Sequence, residues 1–110
     1  MKTVFEILRA DGTCETHETD LPAEPGFEAL KALIEPHLEG GRMEHVSVLV
    51  QKCHCDMFVD EIGLLKDLPR NEAATEVYRA NALAWNPEVD PEALPYIAGP
   101  AVLFHRRVWF

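Results

Sequence analysis

The chain is short of the residues on which several common chemistries depend. Its 110 residues include one serine, Ser47, outside any G-x-S-x-G context, and six glycines that nowhere gather into a phosphate-cradling loop. Three cysteines, Cys14, Cys53 and Cys55, are an odd number, which argues against a disulfide framework and fits a reducing compartment. No uncharged apolar run approaches the roughly 18 residues of a membrane-spanning helix. Glu6 and Arg9 interrupt the N-terminal segment before it could form a signal-peptide core. These absences predict a cytoplasmic protein that does not engage a membrane.

Basic residues are scarce as well. Ten Lys and Arg stand against nineteen Asp and Glu, for a formal charge of −9. Between Asp11 and Glu28 there are six acids and no Lys or Arg. Such a surface repels phosphate backbones, so direct nucleic-acid binding is not expected. A protein partner remains, and Glu15, Glu18, Asp20 and Glu24 are the candidate interaction surface, with a merely solubilising face as the plainer reading. In a sharper version the acidic face imitates nucleic acid and occupies a DNA-binding partner.

What is present specifies structure more clearly than chemistry. The length fits one domain, residues 1–110, with a single core. Residues 2–9 carry apolar side chains on both faces, as a central strand does, whereas Cys14 to Thr19 is too polar to be anything but an exposed edge. Phe27, Leu30, Leu33, Ile34 and Leu38 make one helical stripe, ended or kinked by Pro36. Val46, Val48 and Val50 alternate along a strand. Met57 to Val59, a turn at Asp60 to Gly63 and a resumed apolar run at Leu64-Leu65 read as a hairpin. Asn71 stands at the N-cap of a second helix reaching about Trp85. Ala101 to Phe104 reads as a buried strand. Val108, Trp109 and Phe110 are expected to pack on the domain or to join a subunit contact, which leaves a homodimer open. The expected fold is a single α+β domain in the order ββαβββαβ. Its sheet is largely antiparallel, of five to six strands, with both helices on one face.

Three groups could carry chemistry. Cys53, His54, Cys55 and Asp56 are metal-ligand types in a segment read as a loop, but a lone C-x-C lacks the second pair that structural zinc sites use. Asp60, Glu61 and Asn71 resemble an acidic catalytic cluster, yet turn formation and helix capping account for each. Histidines 17, 37, 45, 54 and 105 are scattered. No catalytic residue is assigned, no cofactor is implied, and the balance leans away from an enzyme.

The segment Val59-Asp60-Glu61-Ile62-Gly63-Leu64-Leu65-Lys66-Asp67-Leu68-Pro69-Arg70-Asn71-Glu72-Ala73-Ala74, with Ile97-Ala98-Gly99-Pro100-Ala101-Val102-Leu103, resembles the DUF3846 group of small bacterial proteins frequent on phages and other mobile elements. Pro100 stands where that group more often has a polar residue. The resemblance marks Asp60, Gly63, Pro69, Asn71 and Gly99 as a structural signature and implies no established activity. The expected function is a non-enzymatic accessory or protein-interaction module. The alternative is a small-ligand or metal-binding protein using Cys53 to Asp56.

Overall fold

A computed structural model describes residues 1–110. Strands β1 (Lys2–Leu8) and β2 (Cys14–Asp20) form one hairpin, and β3 (Met43–Val50) and β4 (Cys53–Asp60) a second. Between them lie helix α1 (Phe27–Ile34) and a 3-10 turn, Glu35–Leu38, through which the chain continues past Pro36. Helix α2 (Glu72–Trp85) and a 3-10 turn, Pro91–Ala93, lead to the last strand, β5 (Ala101–Phe104). No helix is long and apolar enough to cross a membrane.

The sheet runs β2-β1-β5-β4-β3, with every pairing antiparallel. Thus β5 enters between the hairpins and joins them, with Val102 opposite Ile7 on one side and Phe58 on the other. All four of its residues are buried. The α+β class, the single antiparallel sheet and the two helices are as the sequence predicts.

The helices, however, lie on opposite faces rather than one. Leu30, Ile34 and Leu38 pack with Phe5, Ile7, Phe58, Val102 and Phe104. On the other face Ala74, Val77 and Tyr78 pack with Val48, Met57, Val59, Ala101 and Leu103. The reason lies in the central strands: Cys55 to Val59 and Ala101 to Phe104 are apolar nearly without alternation, so covering one face alone would leave half of these side chains in water. Where α1 ends, the His17 ring stacks on Phe5 at 5.3 Å and lies 5.9 Å from His37. Burial, and then His17, push the His37 pKa below its usual value and favour the neutral ring.

The hairpin expected at residues 57–65 is not formed. Its first strand instead pairs backwards with β3, through a two-residue turn in which Gln51 and Lys52 both take positive φ, 52° and 68°. That is the backbone of a tight hairpin turn whose twist matches the strands, adopted here without the usual Asn or Gly. Residues 61–67 coil in successive turns, and Leu64 and Leu65 have no strand partner.

One side chain ties the layers together. Asn71 is fully buried, and its Oδ1 accepts the Ala74 N–H at 3.1 Å as the cap of α2. Its Nδ2 donates to the carbonyls of Leu8 and Gly99, both at 2.9 Å, at the end of β1 and just before β5. Asn71→Ala is expected to destabilise the fold by about 2 to 4 kcal/mol, the sum of a lost cap and two stranded carbonyls. Asn71→Asp keeps the cap acceptor but sets a carboxylate against those carbonyls, so urea titration should find it at least as unstable as the alanine variant. Substantial recovery in the aspartate variant would mean that capping alone matters.

Candidate functional site

The residues following β4 are held in place by buried polar groups. Asp60 ends the strand with its side chain buried; Oδ1 accepts the Ile62 N–H at 3.0 Å and Oδ2 accepts Lys66 Nζ at 2.9 Å. The turns close on themselves through Lys66 N–H to Ile62 O, 3.0 Å, and Leu68 N–H to Gly63 O, 3.2 Å. Gly63 lies so close to the opposing chain that a Cβ would come within 2.6 Å of the Ala98 carbonyl oxygen. Gly99, at φ +83°, donates its N–H to Pro69 O at 2.8 Å, and a Cβ there would meet Leu68 Cδ1 at 2.7 Å. Residues 60–71 are thereby strapped to residues 97–99, and each of Asp60, Gly63, Pro69, Asn71 and Gly99 contributes to the strap.

The strap presents apolar side chains outward. Ile62 is 44% exposed, Leu64 47% and Leu65 85%. Beside them opens a groove of about 340 Å³ with Val46, Val59, Tyr78 and Ile97 as its floor and Ile62, Leu64, Leu65 and Tyr96 as its rim. Glu44 and Glu61 add two exposed carboxylates, neither with an ion-pair partner. Of the nearby cations, Lys66 pairs with Asp60 at 2.9 Å and Arg70 with Glu72 at 2.8 Å, and Arg70 also lies 5.3 Å from the Tyr96 ring centre. Arg42, whose carbonyl accepts the Glu61 N–H, is exposed and makes no ion pair.

No family model, curated protein or solved structure matches the chain.

The residues considered as metal ligands do not converge. Cys53 to Asp56 belong to β4 rather than to a loop, and strand alternation sends Cys55 to the α2 face and Asp56 to the α1 face, while Cys53 and His54 are exposed at the hairpin end, with the His54 ring 6.4 Å from Trp85. Asp56, only 2% exposed, is already committed. Its Oδ2 accepts the N–H groups of Val108 and Trp109 at 2.8 and 2.9 Å, and its Oδ1 lies 2.6 Å from His45 Nε2. Trp109 stacks on His45 at 5.2 Å, so this carboxylate anchors the chain end, as expected for Val108 and Trp109, while Phe110 stays exposed. Burial pushes the Cys55 thiol up, and burial and Glu6 push Cys14 up, which favours unreactive thiols. No group of three or more His, Cys, Asp and Glu is placed to hold a metal ion.

The acidic residues of β2 are likewise divided. Glu15 is held by Arg9 at 2.6 Å and shares its side of the strand with His17. Glu18 and Asp20 project from the other side, 3.9 Å from Lys2 and 3.8 Å from the terminal ammonium, while Glu24 lies in the loop before α1. They form a charged, solvated edge, a common guard against strand-to-strand association. The groove was hidden from sequence reasoning because Leu64 and Leu65 look like strand residues. Because no ligand set assembles, dialysis against EDTA should leave Tm within about 1 °C of the untreated protein, whereas a fold built on structural zinc would lose most of its stability.

Proposed function

We propose that the protein is a non-enzymatic protein-interaction module of the cytoplasm, and that the groove between α2 and the strapped segment 60–71 receives a segment of its partner. The carrying observation is Leu65, 85% exposed in a segment whose backbone is fixed by buried groups. A turn needed only for reversal would be polar. Here Ile62, Leu64, Leu65 and Tyr96 are contiguous around one groove, and contiguous apolar exposure marks an interaction site where a scattered leucine would not. Burying such surface stabilises a complex by about 25 cal/mol per Å² before the ordering costs of association.

A small-molecule site is less well supported. At about 340 Å³ the groove is at the small end of such pockets, and its one buried carboxylate, Asp60, is occupied by Lys66 and the Ile62 N–H. The metal-binding alternative is weaker still, since Cys53 to Asp56 divide between two faces. Membership of the DUF3846 group, with a phage or mobile-element setting, belongs to the same proposal and rests on the Val59 to Ala74 and Ile97 to Leu103 segments. The five signature residues would then conserve the strap rather than a catalytic centre.

A photo-cross-linking amino acid installed at Leu65 should yield a discrete adduct with a host protein, lost on Tyr96→Asp across the groove. The same probe at Glu18 on β2 should yield none. Adducts from Glu18 alone would make the acidic edge the contact surface and overturn this reading.

A further inference from the structure

Accepting the groove as the contact surface, we infer that its occupant is an amphipathic helix whose apolar stripe is flanked by Lys and Arg. Charge points to a basic occupant. Glu44 and Glu61 border the groove without cationic partners, Lys66 and Arg70 are neutralised by Asp60 and Glu72, Arg42 is the single unpaired cation beside them, and the whole chain carries −9, so the rim keeps an excess of negative charge. A basic segment is drawn to this rim and an acidic one repelled. The same charges disfavour a second copy of the chain, because a two-fold contact would bring these unpaired carboxylates against a surface of like charge.

Shape points to a helix rather than a strand. An extended peptide binds a sheet by pairing with a free edge, and the edge nearest the groove is β3. Arg42 O accepts the Glu61 N–H on the β4 side, so alternation turns the backbone groups of Met43, His45, Ser47 and Leu49 toward the free edge. Two of these groups are already taken. Glu35 Oε2 accepts the Met43 N–H at 3.1 Å, and Asn81 Nδ2 donates to Ser47 O at 2.9 Å. An incoming strand would have to displace both side chains, whereas a helix satisfies its own backbone and brings only side chains to the groove, with anchors at i, i+3, i+4 and i+7.

The test uses the full chain and three labelled synthetic peptides of about 18 residues. One carries leucines at helical spacing with lysine flanks, one is its twin with glutamate flanks, and one alternates valine and lysine to favour an extended form. Fluorescence anisotropy should show saturable binding of the lysine-flanked helix, tighter than either other peptide by about tenfold or more. Leu65→Asp should weaken it by a similar factor. That variant adds negative charge at an exposed site, so attraction by net charge alone would strengthen with it. The double variant Glu44→Lys, Glu61→Lys should erase the preference for lysine flanks. Equal binding of the charge twins, tighter binding of the extended peptide, or indifference to Leu65→Asp overturns the inference. So does a dimer in sedimentation equilibrium that Leu65→Asp dissolves, since the occupant would then be a second copy. If cross-linking from Leu65 captured an acidic or extended segment, the helix would be wrong while the groove stood.

Discussion

The buried amide of Asn71 is the contact on which the architecture turns. Strand β5 reaches the middle of the sheet only after the chain has left β4, run through α2 and returned, so something must fix where α2 starts relative to the slot that β5 fills. Asn71 does this with three bonds, capping α2 while holding the end of β1 and the approach to β5. The backbone N–H of the same residue donates to Ile97 O at 2.8 Å. Once these are made, β5 can join the two hairpins, and α1 and α2 each find an apolar face to cover.

The same set of bonds governs the surface. Asp60, Gly63, Pro69 and Gly99 continue from Asn71 as a strap whose buried side-chain polar atoms are satisfied; Arg79 Nε is the one buried side-chain nitrogen or oxygen without a partner, and it lies outside the strap. Satisfied buried networks rigidify what they hold. What is held here is a row of outward-facing apolar side chains, so groups that look like chemistry in the sequence act to position groups that look like packing.

Much of the fold was legible in the sequence because local pattern and environment agree. Residues 2–9 carry apolar side chains on both faces and form an inner strand; Asn71 caps a helix; Ala101 to Phe104 is buried throughout. The failures have physical causes. Leu64 and Leu65 read as a strand because apolar pairs usually seek a core, and nothing local distinguishes a displayed leucine from a buried one. Gln51 and Lys52 give no composition signal for the hairpin turn they make. Asp56 reads as a free loop ligand because its partners, Val108 and Trp109, are more than fifty residues away in sequence. Contacts over that separation are set by topology, which the sequence did not resolve.

On this account the apolar groove is held open by a strap as firm as the sheet. Amide hydrogen exchange on the unmodified chain tests it directly. The amides of Lys66, Leu68 and Gly99 should exchange within about tenfold of the slow amides of β4 and β5, opening only with the sheet. Exchange of these three near the rate of an unstructured loop, while β4 and β5 remain protected, would contradict the account.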